Sequence, residues 1–111
     1  MIPYSSYNTL AETNAIIHGR PCTEIAEKAR EIIRGKPGLE IVLTTLKDGE
    51  RFVDARADSV LDIFNLCLNE GARVQVMAKG HYSSEELREA VDAVKKELEY
   101  PWERKYSMSA D

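Results

Sequence analysis

Cysteine is scarce in this chain of 111 residues, which has only Cys22 and Cys67. Two thiols without paired spacing make neither a disulfide framework nor a zinc site, so two free thiols and no bound metal are expected. Basic residues are also in deficit, with 15 Lys and Arg against 19 Asp and Glu and a net charge of -4. That balance, with a pI near 5.2, excludes the basic stripe that nucleic-acid binding requires. No apolar run approaches the ~20 residues needed to span a bilayer. The opening "MIPYSSYNTL" lacks the basic and apolar regions of a signal peptide, so a cytoplasmic location without membrane insertion is expected. There is no internal repeat and no linker rich in Pro, Gly or Ser. The length then suits one domain with a single modest core at about residues 8–100, followed by an extension over 101–111.

Hydrophobic residues at 43% and charged residues at 31% are the balance of a folded globular chain. The first clear element is a helix from Pro21, with Cys22, Ile25, Ala26, Ala29, Ile32 and Ile33 on one face and charged residues opposite. "GKPG" ends it. The apolar "LEIVLTTL", an Asp-Gly turn and "RFVDA" read as a β-hairpin. A second helix is expected over 59–69, with Ser59 as N-cap, Asp62 completing an acidic capping box and Gly71 closing the element. Residues 72–78 alternate as a half-buried strand. The last helix starts near Ser84, turns Leu87, Ala90, Val91, Val94 and Leu98 inward, and stops at Pro101. With a first strand at 8–13 the order is β-α-β-β-α-β-α, an α+β domain with helices on one face of an antiparallel sheet. Beyond Tyr100, order is expected only where Trp102 or Tyr106 covers a surface.

The stretch "AIIHGRPCTEIAEKA" carries the chemistry. His18 stands just ahead of a helix whose first turn has unsatisfied N–H groups and a positive dipole end, so the site favours an anion. Arg20 adds a permanent charge and a donor fork suited to phosphate. A histidine there can take a phosphoryl group on a ring nitrogen, with the product dianion held by Arg20 and by amides around Gly19, Arg20 and Cys22. Gly19 lets the backbone approach closely. The blander alternative is a polar residue that merely precedes a helix.

The same segment resembles the active-site segment of the HPr family, the histidine-containing phosphocarriers of the bacterial phosphotransferase system. There, an aliphatic residue, His, a small residue, Arg and Pro precede the first helix. "VDARADSVLDIFNLCLNEGARVQVMAKG" is similar to that family's third strand, regulatory serine, second helix and fourth strand, and "EAVDAVKKEL" to its last helix. The resemblance covers about residues 8–99. It implies an open-faced β-sandwich, a four-stranded antiparallel sheet with three helices on one face. It also implies a phosphocarrier without a cofactor, in which His18 takes the phosphoryl group and Arg20 stabilises it. The implied partners are enzyme I, the enzyme II A domains and an HPr serine kinase acting on Ser59. Against the family pattern, Asn14 is displaced by one position, Arg56 is separated from Ser59, and "GHYSSEELRE" and the tail are longer.

Cys22, at a helix start beside Arg20, is a candidate for a lowered thiol pKa, but its inward position favours core, and core is also expected for Cys67. His81 reads as a solvated loop residue. The apolar residues of the second helix circle its axis too completely for a narrow stripe, so part of that surface is exposed as a docking patch. Val60, Leu61 and Phe64 are placed in the patch, and Ile63 with Leu66 or Leu68 in the core. Two further readings stay open: a regulatory or interaction module docking through helix 59–69 without a phosphoryl relay, and a general anion-binding α+β domain.

Overall fold

The alternating and helical segments resolve into β1 (Ser5–Glu12), α1 (Arg20–Gly35), β2 (Glu40–Lys47), β3 (Arg51–Arg56), α2 (Val60–Asn65), β4 (Arg73–Gly80) and α3 (Ser84–Leu98). The computed structural model describes residues 1–102. Tyr106 and the rest of 103–111 lie outside the described residues. The four strands form one antiparallel sheet in the order β1-β4-β2-β3, with the three helices packed on one face. The expected element order and fold class are therefore those found.

Inward residues of alternating strands, among them Ala11, Ile41, Leu43, Val74, Val76 and Ala78, meet Ile25, Ala26 and Ala29 of α1 and the inner face of α3. That inner face is Leu87, Ala90, Val91, Val94 and Leu98, residue for residue as the periodicity predicts. The hairpin turn places both Asp48 and Gly49 at positive φ, the backbone that matches the twist of the flanking strands. α3 opens with a full capping box: the Ser83 hydroxyl accepts from Glu86 N–H, and the Glu86 side chain accepts from Ser83 N–H.

Four expectations are corrected. β1 begins at Ser5 rather than residue 8 and ends at Glu12 rather than 13, because pairing with β4 runs the full length, from Ser5 opposite Gly80 to Glu12 opposite Arg73. α2 covers six residues, not 59–69. Leu66 N–H donates to Ile63 C=O at 3.1 Å, tightening the last turn, and Cys67 takes φ +53, so the helix cannot continue. Gly71 serves the later turn into β4. Finally, the Asp62 carboxylate accepts from Arg56 N–H at 3.3 Å. Ser59 caps α2 by accepting from Asp62 N–H at 3.2 Å, but the reciprocal half of the expected capping box is not made.

Candidate functional site

The alternation of β1 does not stop with its last paired residue. From Ala11 to His18, odd-numbered residues are buried and even-numbered ones exposed: Ala11, Thr13, Ala15 and Ile17 in, Glu12, Asn14, Ile16 and His18 out. The backbone bends at Asn14 and Ala15 before the single bridge at Ile17, and beyond that bend the imidazole of His18 is at the surface while Ile17 enters the core. Two anchors hold the run. Thr13 exchanges backbone bonds with the 71–72 turn, and its hydroxyl donates to Asn69 C=O at 2.5 Å. Ile17 forms an isolated bridge to Leu68, donating its N–H to the Leu68 carbonyl at 2.9 Å.

The chain then turns sharply into α1. Gly19 has φ +53 and ψ -118, a conformation glycine adopts without the steric cost a Cβ brings. A Cβ there would meet nothing within 4 Å, so the requirement is one of conformation and not of space. Arg20 is the first helical residue and is exposed, with Pro21 behind it. The first helical bond runs from Thr23 N–H to Gly19 C=O at 3.3 Å. The expected set is thus brought together: His18, Gly19, Arg20 and the Cys22 backbone occupy one turn at the positive end of a 16-residue helix.

The Cys22 side chain is turned away from that mouth. Its thiol is fully buried and donates to Ile17 C=O at 3.6 Å. Burial pushes it up to about 11, opposed in part by a backbone hydrogen bond. Cys22 is a core residue as expected. Cys67 is a correction: it is exposed, because α2 ends two residues before it at Asn65 and its side chain no longer follows the helix's inner face.

Leu61 and Phe64 stand out from α2 with 66% and 51% of their surfaces exposed, while Ile63, Leu66 and Leu68 are buried. Val60, expected in the patch, is half-buried and packs against the core. Ile16, exposed on the run that presents His18, is an apolar surface residue that periodicity alone missed. The Lys47 ammonium donates to the carbonyls of Leu66 and Cys67, placing a cation just past the C-terminal end of α2. Its only sequence signal was a lysine at the end of a strand.

Ser59 lies at the other end of α2, about 9 Å away for a six-residue helix. Beside it Arg56 holds Asp58 through two hydrogen bonds of 3.2 and 3.1 Å, and this carboxylate raises the arginine above its ordinary range. Arg30 of α1 donates to Asp58 C=O at 3.0 Å. His81 is exposed, as expected, but its ring meets the edge of Tyr4 at 5.2 Å and its Nδ1 lies 3.2 Å from Ile2 O. No helix among the described residues is long and apolar enough to cross a membrane.

No family model matches the chain, and no curated protein matches it in sequence. Solved structures do match in shape. The phosphocarrier protein HPr of Bacillus anthracis str. Ames superposes with a TM-score of 0.64 at 18% identity, over 86% of this chain and 99% of that one. The histidine-containing phosphocarrier protein of a mycoplasma gives 0.58 at 15% identity, over 85% and 91%. HPr-C-His of Thermoanaerobacter tengcongensis gives 0.54 at 20% identity, over 85% and 94%. In the order of its elements and the layering of its helices on an open antiparallel sheet, this chain has the fold of the HPr phosphocarriers.

Proposed function

We propose that this protein is a phosphocarrier that accepts a phosphoryl group on His18 from enzyme I and passes it to enzyme II A domains of the phosphotransferase system. The observation that carries the reading is the exposed His18–Gly19–Arg20 turn at the N-terminus of α1, on a fold shared with HPr proteins. A ring nitrogen of neutral His18 attacks phosphorus with its lone pair, and the donor's bond to phosphorus breaks with its electrons going to the donor. No proton need move in that step. On this reading the charge on the transferring oxygens meets the Arg20 guanidinium and the amides of the first turn. Transfer onward reverses the step.

Partner docking is assigned to Leu61 and Phe64, with Val60 at the edge of the patch. The Ile17–Leu68 bridge ties the exit of that helix to the residue before His18. The protein acts in the cytoplasm on this reading, and an HPr serine kinase acting on Ser59 is its regulatory extension. The test is incubation with labelled phosphoenolpyruvate and enzyme I. Acid-labile label that is absent from His18→Ala supports the assignment, and label retained by that variant removes His18. An interaction module that docks through Leu61 and Phe64 without a relay is favoured instead if partner proteins bind the chain while no label transfers.

A further inference from the structure

We infer that Asn14 is a positioning residue for His18, acting through a tether to the end of α3. The inference rests on the reading of His18 as the phosphoryl acceptor.

Glu99, the C-cap of α3, makes two bonds to the run that carries His18. Its carboxylate accepts from Glu12 N–H at 2.9 Å, on the free edge of β1, and its backbone carbonyl accepts from the Asn14 side chain at 2.5 Å. Glu99 is itself fixed. Its N–H donates to Lys95 C=O at 2.9 Å, and the turn that follows is closed by Trp102, whose buried indole donates to Glu97 C=O at 2.8 Å. The amide of Asn14 is therefore held by a rigid helix end and not by its own loop.

Between Glu12 and His18 alternate side chains are buried and exposed, and the backbone bends at Asn14 and Ala15, so the facing of His18 depends on what holds that bend. Beyond the last β1–β4 pair, regular ladder pairing no longer enforces the register. The Ile17–Leu68 bridge fixes the run next to His18, and Thr13 fixes its start. Asn14 is the exposed-side residue pinned between them. It sits on the same side as His18, two positions of the alternation away, so its tether sets the direction in which the imidazole emerges relative to Arg20. In this chain, the asparagine that stands one place from its usual position in the resembling family has a partner of its own at the far end of the sequence.

The variants separate the side chain from its surroundings. Asn14→Ala removes the donor. Asn14→Asp keeps the shape but sets a carboxylate against a carbonyl oxygen. Glu99→Ala leaves the carbonyl that Asn14 uses. In the intact chain, backbone amide exchange of Ala15 to His18 and the NMR titration of the His18 imidazole are measured beside kcat and KM for transfer from enzyme I. With wild-type unfolding midpoints, both Asn14 variants are expected to exchange these amides about fivefold faster, as loss of one hydrogen bond of about 1 kcal/mol implies. They are also expected to shift the His18 titration and to lower kcat several-fold at unchanged KM, since the α2 patch is untouched. Glu99→Ala is expected to leave the titration of His18 closer to wild type than either Asn14 variant does. Wild-type exchange and titration in folded Asn14→Ala would overturn the inference, as would altered exchange with an unchanged kcat. If the wild-type chain takes no phosphoryl group, the phosphocarrier reading fails, and the exchange and titration arms still decide whether Asn14 sets the imidazole.

Discussion

Ile17 and Leu68, fifty-one positions apart, face each other in a single β-bridge, with the Ile17 amide on the Leu68 carbonyl at 2.9 Å. Both side chains are buried, so the bridge fastens the segment before His18 to the segment leaving α2. The His18 turn and the exit of α2 are thereby joined through one backbone hydrogen bond.

On the proposed function the chemistry falls to the exposed His18 and Arg20, whose replacement leaves the buried core residues in place. His18→Ala is expected to lose acid-labile phosphorylation completely with an unfolding midpoint equal to wild type. Arg20→Ala is expected to accept phosphate still, slowed on the order of a hundredfold, the usual cost of losing one donor to developing charge. Equal rates for Arg20→Ala and wild type in a labelled transfer assay would exclude the arginine from the step.

The exposed pair on α2 predicts a loss of binding without a loss of stability. Leu61→Asp and Phe64→Asp leave Ile63, Leu66 and Leu68 in place. Each is expected to weaken enzyme I binding by about 2 kcal/mol, roughly thirtyfold in Kd, with little change in unfolding midpoint. Calorimetric titration and thermal unfolding of the same samples check both halves.

The two thiols should behave as different species. Cys67 is exposed and is expected to react at once with a thiol reagent, whereas Cys22 reacts only when the protein unfolds. Because the folded Cys22 thiol is raised to about 11, its contribution to stability is complete below the unfolded value of about 8.5. That contribution is lost as pH rises through the folded value. Chemical denaturation between about pH 8 and 11 should show an alkaline decline that is flatter in Cys22→Ala.

At the acid end the sign reverses. The Ser83 hydroxyl, with the Ser83 amide and Lys36 in support, holds the Glu86 carboxyl below its ordinary range. Its contribution is present above the unfolded carboxylate value of about 4.3 and is lost as pH falls through the lower folded value. Glu86→Gln should flatten the acid limb of the denaturation midpoint below about pH 5 and leave the neutral plateau lowered.

What the sequence made legible follows from local rules. The inner face of α3 and the hairpin turn each depend on a period or a dihedral preference carried by neighbouring residues. The end of α2 was not legible, because Leu66 and Leu68 fit both a continuing helix and the buried positions of an extended exit. Only Cys67 at positive φ and the distant Lys47 and Ile17 decide between them. The exposure of Cys67 followed from that same ending. The displacement of Asn14 was visible but its partner was not, since Glu99 is 85 positions away.

Ser59 poses the sharpest choice between a structural and a regulatory role. Its hydroxyl accepts from Asp62 N–H at 3.2 Å, so Ser59→Ala should destabilise the domain by about 1 kcal/mol, the usual worth of an N-cap. Ser59→Asp should lose much less, because aspartate is itself a good cap. That makes it a fair mimic of added charge in a folded protein. The new carboxylate would stand beside Asp58 and Asp62, near Arg56, whose guanidinium is already engaged by Asp58. It would therefore remain hydrated at the edge of Val60, Leu61 and Phe64, where an apolar partner surface has to displace water, and it would repel an acidic rim on that partner. Transfer from enzyme I to His18 should then show a raised KM at unchanged kcat, since the acceptor turn at the start of α1 is untouched. If Ser59→Asp takes phosphate with the wild-type KM, the residue is a cap and not a switch.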